Sequence, residues 1–145
     1  MNDIPEKCCL HPPEGIETIE TELATVWLEE GILYSKSKRR IRTPENLNMY
    51  FDVVKKLTGG KKTYFINDLN EMQNYSLEEK DDLHQRLTET CEAIAILSCK
   101  PLGKMMVTVA ILRKIPSYPA RMFEDLDNAK AWINELRSKN SNASN

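Results

Sequence analysis

The chain has 145 residues, enough for one domain of ordinary size that needs neither disulfides nor a metal to hold its core. Hydrophobic residues are 41% and charged residues 29%, which excludes wholesale disorder, a collagen-like repeat and a disulfide scaffold. Lys plus Arg is 20 against 22 Asp plus Glu, a net charge of −2, so no basic field marks a dedicated nucleic-acid binder.

Residues 1–17 are polar and carry Pro5, Pro12, Pro13 and Gly15, so they read as a flexible leader rather than a secretory signal. Residues 138–145, SKNSNASN, read as a disordered tail, which leaves 18–137 as the domain. Ile19, Thr21, Leu23, Thr25 and Trp27 alternate with Glu20, Glu22 and Ala24, the period of one strand. Glu29-Glu30-Gly31 is a turn and Ile32-Leu33-Tyr34 a second strand, which together predict a β-hairpin.

A basic knot follows, with Lys36, Lys38, Arg39, Arg40 and Arg42 in seven residues. Most such runs are solvated, and no interleaved aromatics support RNA binding. Thr43 and Pro44 open a helix as N-cap and first helical residue. Leu47, Tyr50, Phe51, Val54 and Leu57 make its apolar face, and Gly59-Gly60 ends it. Thr63 to Ile66 is short and continuously apolar, as suits a strand buried on both faces.

Ser76 and Glu79 form a capping box for a second helix running to about Cys91, with Leu77, Leu83 and Leu87 on its inner side. Ser76 could also accept phosphate, which a helix N-terminus favours. His84 falls near that inner side and reads as a core-edge histidine. Ala93 to Leu97 is another buried strand. Pro101 then opens a third helix, Met105 to Arg113, apolar nearly all round. Ala120 to Phe123 is a last strand, and Asp125 caps a final helix carrying Ala129, Trp132, Ile133 and Leu136.

Lys100-Pro101-Leu102-Gly103-Lys104 lacks the glycine and hydroxyl residue of a P-loop. Its free amides and lysine could still hold an anion. Met105 and Met106 start a helix that is either core or, with one side exposed, a surface for a partner, a second copy or an acyl chain. Gly103, Lys104, Met105 and Met106 are therefore candidate ligand-binding residues. Cys8, Cys9 and His11 are too few for a zinc site, and neither His11 nor His84 has a nucleophile motif beside it. No catalytic residues, metal or cofactor are expected. The longest apolar stretch, Met105 to Leu112, is far short of the ~20 residues of a membrane span. A cytoplasmic protein with free thiols at Cys8, Cys9, Cys91 and Cys99 is expected.

The order β-β-α-β-α-β-α-β-α predicts an α/β fold. An N-terminal β-hairpin leads into alternating βα units, giving a mixed, mainly parallel sheet packed with helices. In this order, the stretches Trp27–Tyr34 (WLEEGILY), Thr63–Met72 (TYFINDLNEM), Ile96–Met106 (ILSCKPLGKMM) and Pro119–Ile133 (PARMFEDLDNAKAWI) resemble a known family. It is the STAS fold of sulfate-transporter and anti-sigma-factor-antagonist domains, and within it small uncharacterised bacterial STAS-like proteins.

In signalling members of that family, a Ser or Thr at the start of the second helix is phosphorylated, after an Asp-Leu-Ser strand end. Here Asp68-Leu69 is kept, Asn70 stands in place of the first Ser, and Tyr75-Ser76 departs from the usual Asp-Ser-Ser-Gly helix start. The resemblance implies a partner-binding surface at Asp68, Asn70, Tyr75 and Ser76. It implies a non-enzymatic regulatory module for protein interaction, with an unknown protein partner and a possible homodimer. The alternative is a carrier or sensor of a small anionic or lipid-like ligand.

Overall fold

The computed structural model describes residues 4–40, 42–71, 85–99 and 118–143. Six strands lie side by side in chain order: β1 (Ile19–Glu20), β2 (Ala24–Glu29), β3 (Ile32–Ser37), β4 (Thr63–Asp68), β5 (Cys91–Leu97) and β6 (Ala120–Phe123). The β1–β2 and β2–β3 pairs are antiparallel, and β3, β4, β5 and β6 run parallel. This is the expected mixed, mainly parallel α/β sheet. Helix α1 (Pro44–Thr58) connects β3 to β4, residues 85–90 are helical, and a C-terminal helix spans Leu126–Ala143.

The β2–β3 turn follows from two residues. Glu30 and Gly31 both have positive φ, 52° and 79°, which gives the two-residue hairpin loop whose twist matches the flanking strands. Beyond the turn, Trp27 faces Tyr34 across the ladder, and their rings stack at 5.5 Å.

Side chains alternate along a strand, so the central strands feed two cores, one on each face of the sheet. On one face Val26, Leu33, Phe65, Ile94 and Ile96 pack against Leu47, Tyr50, Phe51 and Val54 of α1 and against Leu87. On the other, Trp27, Tyr34, Ile66, Ala93, Ala95 and Leu97 pack against Ala129 and Ile133 of the C-terminal helix. The two-sided burial of β4 and β5 accounts for their unbroken apolar runs. Tyr50 reaches across the first core to donate to Ser35 Oγ at 2.9 Å, so the one hydroxyl that α1 brings inside is satisfied.

Three expectations change. The alternation from Ile19 to Trp27 is two strands rather than one. Thr21 Oγ1 donates to Ala24 O and accepts from Ala24 N–H, both at 2.9 Å, and this turn folds β1 back on β2. The tail from residue 138 is helical through Ala143, supported by the Glu135–Lys139 pair at 3.2 Å and by Asn140 bonding the Tyr64 hydroxyl. The leader, expected to be flexible, is packed. Glu6–Cys8 form a single turn of 3-10 helix, and Cys8 and Leu10 are 0% and 1% exposed. Its apolar side chains join the core beneath the C-terminal helix.

Helix α1 begins as read. Thr43 Oγ1 accepts from Asn46 N–H at 3.1 Å while Asn46 Oδ1 accepts from Thr43 N–H at 2.8 Å, and Gly59 ends the helix at φ 69°. Thr43→Ala removes half of this reciprocal cap and should cost about 1 kcal/mol. Urea unfolding would show it as a lower midpoint at unchanged slope.

Candidate functional site

Parallel strands end on the same side of the sheet, so Ser37, Asp68 and Leu97, the last residues of β3, β4 and β5, lie near one another. This is the edge where ligand crevices of parallel sheets usually open. Here the leader crosses it.

Asp68 is 2% exposed, and a carboxylate so buried requires donors. Asn70 N–H and Nδ2–H donate to Oδ1 at 3.0 and 2.9 Å, a local turn that bends the chain out of β4. Leu10 N–H donates to Oδ2 at 3.0 Å from 58 residues away in sequence. Lys36 sits opposite Asp68 in the β3–β4 register and donates from Nζ to Leu10 O at 2.9 Å. Both backbone polar groups of Leu10 are thus held by side chains of the sheet.

Asn70, also 2% exposed, completes the junction. Its Nδ2–H donates to Cys8 O at 2.8 Å, and its Oδ1 accepts from Cys99 N–H at 3.0 Å. The same amide touches two thiols: Nδ2 lies 3.9 Å from Cys8 Sγ, and Cys99 Sγ donates to Oδ1 at 3.5 Å. Cys9 Sγ donates instead to Pro5 O at 3.5 Å. All four cysteines are free thiols. Burial, with the neighbouring Cys99 thiol next, pushes the Cys8 thiol up to about 12, and Cys9 is raised for the same first reason.

The surface above the junction is charged. Arg39 and Glu71 pair at 3.9 Å with side chains 64% and 43% exposed, and Arg40, the next residue after Arg39, is exposed. Other members of the basic knot are structural, since Lys38 Nζ bonds Thr21 O at 2.8 Å and Glu20 at 2.6 Å. Nearby, Lys7, Met122, Phe123, Glu124, Asp125 and Asn128 line an open cleft of about 470 Å³ where β6 passes into the C-terminal helix.

Of the residues singled out from sequence, Asp68 and Asn70 come together, but beneath the leader rather than on an open surface. Tyr75, Ser76, His84, Gly103, Lys104, Met105 and Met106 lie outside the described residues. His11 is exposed, and among the described residues no group of three or more His, Cys, Asp and Glu is placed to hold a metal. Sequence reasoning missed Leu10, set Cys8 aside as an incomplete zinc ligand, read Lys36 as part of a solvated basic run, and gave Cys99 no place in a site. The available signal was Cys8-Cys9-Leu10, an apolar triplet inside an otherwise polar leader.

Replacing Asn70 with Ala leaves Cys8 O, Cys99 N–H and part of the Asp68 carboxylate without partners. The loss should be about 2–3 kcal/mol, and the Leu10 and Cys99 amides should lose protection in hydrogen exchange. Alkali acts on buried groups of both faces. Cys8, Tyr34 and Tyr50 are neutral at pH 7 and are each pushed up to about 12, mainly by burial. A raised folded value means their contribution is intact below the ordinary values and lost as the pH rises through about 12. Circular dichroism should therefore stay constant up to about pH 9 and then report cooperative unfolding before about pH 12.

Known proteins place the chain at the level of fold and family. The family model described as "Domain of unknown function (DUF7793)" matches residues 26–137. An uncharacterised protein of the DUF3478 family from Shewanella loihica PV-4, with a SpoIIAA-like fold, superposes with a TM-score of 0.56. Its sequence identity is 18%, over 82% of this chain and 92% of that one. At that identity the likeness is one of fold, and the fold is STAS-like as the sequence resemblance implied. No curated protein matches the chain.

Proposed function

The chain belongs to the DUF7793 family, and from that premise we propose that it works as a non-enzymatic, regulatory module for protein interaction. Its contact surface is the charged rim at the ends of β3 and β4. The observation that carries this reading is the rim itself: exposed Arg39 and Arg40 follow the end of β3, and Arg39 pairs with half-buried Glu71, the residue after the buried Asp68–Asn70 junction. Charged groups on a rigid base lose little freedom when a partner docks, and opposite charges side by side favour one orientation of it. The SpoIIAA-like fold supports the same reading. Asp68 and Asn70 act from inside, by setting the path of the chain into Glu71.

The regulatory role makes the partner a protein of complementary charge pattern, in the same compartment as this chain. A photo-crosslinking residue at Arg39 or Glu71 should capture discrete protein adducts in living cells. The same residue at Lys61, at the opposite end of β4, should not. An adduct of twice the chain mass would name a second copy as the partner. Equal capture at both ends of the sheet, or none at the rim, would remove the reading.

A further inference from the structure

The thiols at the junction have no part in the interaction reading. Cys8 and Cys99 are 91 positions apart in sequence, yet one Asn70 side chain holds both backbones, through Cys8 O at 2.8 Å and Cys99 N–H at 3.0 Å. Both sulfurs rest on that same amide, at 3.9 and 3.5 Å, and the Cys99 thiol is near enough to help raise that of Cys8. A disulfide needs two Cβ vectors that converge with the backbones already held close. Here the holding is done by an interior side chain, through Cys8 O and Cys99 N–H as well as at the sulfurs.

From this juxtaposition we infer that Cys8 and Cys99 are an oxidation-sensitive dithiol that closes to an intramolecular disulfide, fastening the leader across the ends of β4 and β5. The other cysteines are placed differently. Cys9 Sγ turns to Pro5 O, and Cys91 is buried at the opposite end of β5. The oxidant is a peroxide. Cys99, the partly exposed member, attacks the O–O bond; an S–O bond forms, water leaves, and Cys99 becomes a sulfenic acid. Cys8 Sγ then attacks that sulfur. The S–S bond forms, the S–O bond breaks, and hydroxide departs with the Cys8 proton as a second water. Two thiols are oxidised and one hydrogen peroxide is reduced to two waters.

The order of events follows from burial. Cys8 is 0% exposed and Cys99 is partly exposed, so Cys99 meets the oxidant, and Cys8, on the same Asn70 amide, resolves it. The consequence is a change in the leader's freedom. In the reduced chain residues 8–10 are held by hydrogen bonds alone, whereas in the oxidised chain they are also tied covalently to the segment that follows β5.

The test uses the full chain, reduced, treated with excess hydrogen peroxide, capped with N-ethylmaleimide and mapped by mass spectrometry of its unreduced peptides. The peptide carrying Cys8 should appear joined to the peptide carrying Cys99, and dithiothreitol should separate them. Because Cys8 and Cys9 share a peptide, the link should persist in Cys9→Ser and vanish in Cys8→Ser. It should also vanish in Cys99→Ala, whose backbone N–H still reaches Asn70, with circular dichroism confirming that this variant is folded. In the oxidised wild type, hydrogen exchange at the Leu10 amide should slow by at least about tenfold. A link that survives Cys8→Ser, links only between chains, or oxidation of Cys99 beyond sulfenic acid with Cys8 still free would each overturn the assignment.

Discussion

A carboxylate inside a protein sets terms for everything around it, and in this chain that carboxylate is Asp68. Left without donors, it would carry a desolvation penalty of several kcal/mol. One oxygen is satisfied locally, by the backbone and side chain of Asn70, and this fixes how the chain leaves β4. The other is satisfied only by the amide of Leu10, far away in sequence. The leader is therefore part of the domain's electrostatics. Removing it would uncover a carboxylate oxygen and the ends of the parallel strands together, so leader docking and the closing of the sheet edge are a single event.

The elements that depend on near neighbours were legible. The apolar face of α1, its Thr43 cap and Gly59 stop, and the Glu30-Gly31 turn are written within a few residues of where they act. The two buried strands declared themselves by composition, and the fold by their order. The misread β1–β2 region shows the limit of periodicity. Residues 19–27 alternate throughout, but a turn closed by a Thr hydroxyl leaves that alternation unbroken. The leader failed for a different reason. Its attachment rests on hydrogen bonds spanning 58 and 62 residues, and no local pattern encodes those.

Asp68 and Asn70 were legible as important and misplaced in direction. The resemblance put them on an outward-facing loop. In the structure both side chains turn inward, because their donors and acceptors match the open backbone groups of Cys8, Leu10 and Cys99. The basic knot divides in the same way. Lys36 and Lys38 are consumed by carbonyls of the leader and the β1–β2 turn, so a cluster that reads as one charged patch contributes mainly Arg39 and Arg40 to the outside.

Interior and exterior meet at a single peptide. Glu71 follows Asn70 directly, so the carboxylate that pairs with Arg39 is positioned by the same residue that holds Cys8 and Cys99. The Asn70 bonds that hold the leader and the Arg39–Glu71 pair therefore share one stretch of backbone. One residue thus carries the leader on its side chain and leads into the rim through its backbone. The buried junction and the charge pattern at the rim are therefore laid out by two consecutive residues, Asn70 and Glu71.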